Sequence, residues 1–178
     1  MRASAAMLMT IGMAEIVVRN ALDEQLRAWA VARHSGRSWL DAAPLDVKGK
    51  QDIAKATQLA TRRMAHPAVH GKVIAELSIG FWRYLVASRY LTSLWIPATH
   101  AAFPNGATDL RTRRADVENR LQRLTFVRNR AAHHEPIHRR NLDRDLAATV
   151  ELTGWVSRDC ALWVAAKSTI DTVIRQRP

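Results

Sequence analysis

The sequence predicts an all-α protein, an up-and-down bundle of about five to six helices forming a single domain over 1–178. Three observations carry that expectation. Apolar residues recur at spacings of three, four and seven over long segments. No alternating apolar–polar run exceeds four residues, so strands have no support. Breaks containing Pro, Gly or Ser then cut the chain into helix-sized pieces. The 178 residues, 48% of them hydrophobic, are enough for one sizeable core and too apolar for disorder.

The first helix is expected from Ser4 to Arg33, with the stripe Leu8, Ile11, Val18, Leu22, Leu26 and Trp29 facing inward. "HSGRS" ends it, and Trp39 to Val47, with Pro44, reads as a loop. A second helix fits Lys48 to Met64, stopped by "HPAVHG". A third fits Lys72 to Ala87, where Val73, Leu77, Phe81 and Leu85 fall every four residues. "RYLTSLWIPATHAAF" continues helically to about Pro97, and "FPNGATD" is a loop by its turn residues. The next helix runs from about Arg113 to Ala132 or His133, with Val117, Leu121, Leu124 and Ala131 inward. Pro136 ends the helical conformation of what precedes it. A last helix spans Asn141 to Arg175, capped by Asn141 or Asp143, with Leu152, Trp155, Leu162, Ala166, Ile170 and Val173 inward. The six tryptophans are spread along the chain, as core residues are, and do not form a base-stacking platform.

Composition narrows the function. Lys and Arg outnumber Asp and Glu 27 to 16, a net charge of +11. Between Arg111 and Arg144 stand ten arginines against four acids, so more than half of that excess lies in one stretch. Such a surface predicts a polyanionic partner, nucleic acid first and anionic membrane second; the alternative is a merely soluble Arg-rich surface. The lone Cys160 excludes an internal disulfide and a thiolate metal site, which suits a reducing cytoplasm. The N-terminal "MRASAAMLMTIGM" starts like a signal peptide, but Glu15 and Arg19 continue the same helical stripe with no small-x-small break. Neither secretion nor a membrane span is expected. His34, His66, His70 and His100 show no metal-ligand spacing, and no metal or cofactor is expected.

The chemistry concentrates in "VRNRAAHHEPIHRR", Val127 to Arg140, with three histidines and four arginines in fourteen positions. Arg128 follows Leu121 by seven and Leu124 by four, so it projects from the inward stripe, where an unpaired guanidinium is costly. Asn129 is polar, and His133 stands where the helix gives out and the helix dipole favours imidazolium. An arginine and a histidine at a helix end suit metal-free RNA cleavage. RNA supplies its own 2′-hydroxyl nucleophile, the imidazole moves the proton, and the guanidinium holds the phosphoryl charge. His134, or a second copy of His133 from a dimer partner, would supply the second acid or base. The alternative is structural: Arg128 pairs with Glu15 or Glu118, and His133 caps carbonyls. Glu15 lies between Ile11 and Val18 on the apolar stripe; it either pairs with Arg19 one turn on or turns inward toward Arg128 or His133. Arg19 and Asn20 border the same region. His138, Arg139 and Arg140 either grip RNA backbone or form a solvated basic turn.

Three segments resemble the abortive-infection (Abi)-like proteins of the HEPN superfamily: "AEIVVRNALDEQL", "GKVIAELSIGFWRYLVASRYLTSLWIPATHAAFP" and "VRNRAAHHEPIHRRNL". They occur in the expected order over nearly the whole chain, and the third is the most specific. The resemblance implies a HEPN-like bundle and a metal-independent endoribonuclease whose R-x4-6-H motif closes a helix, two copies meeting at a homodimer interface. It maps the motif onto Arg128, Asn129 and His133, with His134 fitting the longer spacing. It implies a cytoplasmic growth-arresting toxin or phage-defence effector, with RNA as substrate and an antitoxin protein as a further partner. In members silenced by nucleotidylation a tyrosine stands two places after the motif histidine; here Glu135 does, so that control is not expected. The family also has more residues ahead of its "ALRN"-like segment, so the expectation is a shortened first helix or a start at an internal methionine. Two non-enzymatic readings compete: a helical module that binds nucleic acid or protein without cutting, and a structural dimer in which Arg128 and His133 only satisfy buried groups.

Overall fold

The computed structural model describes residues 1–61, 68–137 and 139–176, and every regular element among them is helical. The centre is α1, Arg2–Arg33, 32 residues long. Its expected stripe is real: Ile11, Val18, Leu22, Leu26 and Trp29 are buried and Leu8 is half-buried. By length and composition alone α1 is apolar enough to cross a membrane, which the sequence reading did not anticipate. Its inward face is the spine of the core.

Among the described residues nine α-helical segments stand where five to six are expected, because serines interrupt two of the long ones. After α1 come α2 (Trp39–Ala42), α3 (Val47–Thr61), α4 (His70–Glu76) and α5 (Ile79–Leu85). The loop expected at Trp39–Val47 therefore begins with a turn of helix, capped by the Ser38 hydroxyl. The expected end of the second helix at Met64, and His66, lie outside the described residues. The third expected helix breaks between α4 and α5, where Leu77 and Ser78 are extended and the Ser78 hydroxyl accepts from Phe81 N–H at 3.4 Å. A serine at that position competes with the helix for its own backbone donors. Val73, Leu77, Phe81 and Leu85 still reach the core, since the break preserves their side.

Residues 88–102 do not continue that helix. They form a 3₁₀ turn (Ser88–Tyr90), a π turn (Leu91–Trp95) and a second 3₁₀ turn (Thr99–Ala102). The indole N–H of Trp95 donates to Leu110 carbonyl at 2.7 Å, which ties the π turn to the start of α6 (Leu110–Ala132). That helix begins three residues earlier than expected, capped by Asp109, whose carboxylate accepts from Thr112 N–H at 2.8 Å.

The last expected helix is three: α7 (Leu142–Val156), α8 (Arg158–Lys167) and α9 (Ile170–Arg175). Asn141 caps α7, accepting from Arg144 N–H at 2.8 Å. Ser157 and Ser168 are extended, and each hydroxyl accepts from the backbone two residues on. Each break resets the rotational phase. Leu162 (69% exposed) and Ala166, expected inward, face out, and Val164 is buried instead.

One apolar cluster runs through these elements, with α1 packed against α5, α6, α7, α8 and α9 and against the Thr99–Ala102 turn. Trp29, Trp39, Trp82 and Trp95 are buried in it, each stabilising the fold by a few kcal/mol. Trp155 is half-buried, and Trp163, 43% exposed, is the exception to the core reading. Buried Asp23 accepts from the Trp39 indole N–H and lies against His70 Nε2, both at 2.7 Å, joining α1, α2 and α4. His70 is thus a satisfied residue, as is His100, whose Nδ1 is 3.1 Å from Trp95 carbonyl. Among the described residues no three His, Cys, Asp or Glu converge as a metal site.

Candidate active site at the end of α6

Along α6, Val117, Leu121, Leu124, Val127 and Ala131 are buried. At about 100° per residue, Arg128 falls within that arc, between Val117 and Leu121. It is half-buried, facing the elements against which α6 packs, α1 and α5 among them. No acid makes an ion pair with it among the described residues. Glu118, one expected partner, pairs with Arg114 instead. Arg128 Nη1 donates to Asn129 Oδ1 at 3.4 Å.

Glu15 does turn toward this region. It is half-buried, its carboxylate accepts the N–H of Ile79 in the first turn of α5, and the Arg128 guanidinium acts on it through space, as does Arg19. Burial outweighs these three stabilising influences and raises the Glu15 pKa from its ordinary 4.5. The folded chain therefore holds the proton more tightly than the unfolded one. The stability this confers is full at acid pH and is lost as pH rises through and above the ordinary carboxylate range. Glu15→Gln is expected to flatten that decline, and melting curves of parent and variant from pH 4 to 7 measure it. Parallel curves would mean that Glu15 is not the group responsible. Arg19 Nε donates to Asn20 Oδ1 at 3.2 Å, and Asn20 is exposed, about 140° around α1 from Glu15.

The end of α6 is an irregular stop. His133 N–H donates to Asn129 carbonyl at 2.9 Å, His134 N–H to Ala131 carbonyl at 3.3 Å and Glu135 N–H to Arg130 carbonyl at 2.8 Å. This is the Schellman arrangement, in which the second of these residues must adopt left-handed backbone. Glycine is the ordinary occupant. Here His134 sits there with φ 59°. Arg130 Nε lies 3.1 Å from Glu135 Oε2, a polar substitute for the apolar contact that usually closes this motif. Relieving the left-handed strain, His134→Gly is expected to raise stability by about 0.5–1 kcal/mol. A lower melting temperature in that variant would show that the His134 ring makes a compensating contact.

His133 and His134 are both exposed. His133 lies five positions after Arg128, which turns the two about 140° apart around the helix axis. Among the described residues no hydrogen bond joins the two side chains: Arg128 faces the elements packed on α6, and His133 is exposed. His134 instead borders a cleft of about 510 Å³ between the N-terminal turns of α1 and the helix end, with Leu8, Ala131, Pro136 and Ile137 among its walls.

His138 lies outside the described residues. Arg139 is exposed, with no ion-pair partner among them. Arg140 is not a solvated loop residue: it holds the buried Asp145 through Nε and Nη2, both at 3.1 Å, and Arg123 Nε reaches the same carboxylate at 2.7 Å. Sequence reasoning missed this cluster, although an acid in the first turn after the Asn141 cap, amid so many arginines, was a usable signal. It also missed Phe126, the one aromatic of α6, three residues after Arg123 and four before Arg130.

No family model matches the chain, and no curated protein or solved structure matches it.

Proposed function

We propose that the chain is a metal-independent endoribonuclease of the HEPN type, a cytoplasmic growth-arresting toxin or phage-defence effector acting as a homodimer. The observation that carries this reading is the end of α6. Arg128 is kept half-buried without an ion-pair contact among the described residues, while two exposed histidines stand five and six residues on. A purely structural arginine on a buried arc would be expected to close an ion pair, whereas Glu15, the acid that acts on Arg128 through space, makes no ion-pair contact with it. Because Arg128 and His133 diverge within one chain, a composite site needs a second copy. The outward side of α1 supports one: Met9 and Ile16 are 44% and 45% exposed, and nothing lies within 4 Å of the space beside Gly12. Covering that strip with its own copy would form a two-fold interface along α1, with Glu15 about a quarter turn around the same helix.

In the proposed reaction the 2′-oxygen attacks the adjacent phosphorus and the bond to the 5′-oxygen breaks. The products are a 2′,3′-cyclic phosphate and a 5′-hydroxyl. One imidazole takes the proton of the 2′-hydroxyl, and another gives a proton to the leaving oxygen; His133 and its second copy, or His134, fill these roles. Arg128 holds the phosphoryl oxygens as charge builds, and Asn129 positions backbone or phosphate. An antitoxin partner belongs to the same reading. A binding module that does not cut is favoured by the grooves lined with Arg120, Arg123 and Arg144, and with Arg130, Arg139 and Arg140. Incubating RNA with the parent protein in EDTA separates the two: cleavage to cyclic-phosphate ends supports the enzyme, and binding with intact RNA supports the module.

A further inference from the structure

The solvent side of α6, opposite Arg128, carries a second arrangement. Phe126 is 49% exposed, yet its ring is not bare. The guanidinium carbons of Arg140 and Arg130 lie 5.1 and 5.6 Å from its centroid. Phe126 thus gathers two cations that would otherwise repel each other. Beside them opens a recess of about 430 Å³ lined by Arg130, Pro136, Arg139 and Arg140. Among the described residues two acids oppose this charge, Glu135 against Arg130 and Asp145 shared by Arg123 and Arg140. Four arginines against two acids leave an excess positive charge, and Arg139 faces the recess without an ion pair among the described residues. Pro136 is common to this recess and to the cleft that His134 borders, so the two hollows adjoin across one residue.

We propose that Phe126, Arg130, Arg139 and Arg140 form a phosphate subsite that holds one internucleotide phosphate of single-stranded RNA beside the helix end. The recess is too small for a duplex and concave where a bilayer would need a protruding apolar residue. Phe126 cannot insert into lipid while guanidiniums lie over its ring. Arg139 supplies the charge that meets the phosphate. Phe126 supplies none and acts by holding Arg130 and Arg140 in place. The subsite rests on the reading of RNA as substrate, and it fixes which side of the helix end the strand approaches.

Binding of a fluorescein-labelled 12-residue oligouridine to the full chain, in a His133→Ala background, tests this by anisotropy across a salt series. Arg139→Ala is expected to weaken binding about three- to tenfold and to make the salt dependence shallower by about one ion. Phe126→Ala is expected to weaken it about two- to fivefold with the salt dependence unchanged, a signature that losing a charge does not produce. Phe126→Tyr keeps the ring and stays within about twofold of the background protein. Since Phe126 is half exposed, its replacement leaves the core intact, which circular dichroism melting verifies. The subsite is overturned if Phe126→Ala binds as well as the background, or if Arg33→Ala, on the far end of α1, weakens binding as much as Arg139→Ala. Binding to phosphatidylserine vesicles but not to RNA, lost in Arg139→Ala, overturns it in favour of a membrane. A parent that binds RNA through these residues and never cuts it overturns the ribonuclease and leaves the subsite standing. A parent that cuts RNA while Phe126→Ala and Arg139→Ala bind normally overturns the subsite alone.

Discussion

His133→Ala is expected to slow RNA cleavage by about 100- to 10,000-fold, the range over which a positioned imidazole contributes as general acid or base. Arg128→Ala should cost about 100- to 1,000-fold, as removal of a preorganised donor to a developing oxyanion does. Arg128→Lys should recover only part of that, because an ammonium lacks the planar fork that meets two phosphoryl oxygens at once. His133 is exposed and its backbone, not its ring, closes the helix, so His133→Ala should melt with the parent. The measurement is the rate of appearance of cyclic-phosphate ends in EDTA at matched melting temperature. Cleavage by His133→Ala at the parental rate would remove His133 from the reaction. His134→Gly then decides between the neighbours: a variant that is more stable and still active assigns the proton transfer to His133, and a more stable but inactive one assigns it to His134.

Asp145→Ala is expected to be the most damaging of these substitutions for stability, at about 2–4 kcal/mol. Asp145 is 2% exposed and accepts three hydrogen bonds from two arginines. Removing it leaves the Arg123 and Arg140 guanidiniums facing each other with no anion between them. It also detaches α6 from the start of α7 and from the turn that follows the helix end. Both arginines keep some exposure, 26% for each side chain, so water offsets part of the loss. For a chain of this size the melting temperature should fall by roughly 5–15 °C. Arg140→Ala should cost less, since Arg123 still neutralises the carboxylate. An unchanged melting temperature in Asp145→Ala would mean that the cluster does not hold these elements together. If Arg140 belongs to the phosphate subsite, Asp145→Ala should also weaken RNA binding, because the carboxylate fixes where that guanidinium lies.

Much of the fold is legible in the sequence, and the reasons differ by element. The stripe of α1 was readable because 32 residues of uninterrupted helix keep one rotational phase. Arg128 on the buried arc of α6 follows in the same way from Leu121 and Leu124. A stop of α6 near Ala132 or His133 follows from Pro136, which keeps Glu135 out of helical backbone; the structure ends the helix at Ala132. The positive surface needed only counting. By itself, then, the sequence determined an all-helical chain, its principal core faces and a cationic, histidine-rich helix end. The tertiary structure decided what periodicity cannot carry. Serine hydroxyls at Ser78, Ser157 and Ser168 compete for backbone donors that a longer helix would have used, and that competition depends on what each half packs against; Leu162 turned outward for this reason. The same holds for the charges. Glu15, Ile79 and Arg128 meet only because α1, α5 and α6 pack together, and Arg140 and Arg123 meet over Asp145 only because α7 lies along α6. Spacing within one helix orders side chains around one axis; which of them face each other across two axes is set by packing alone.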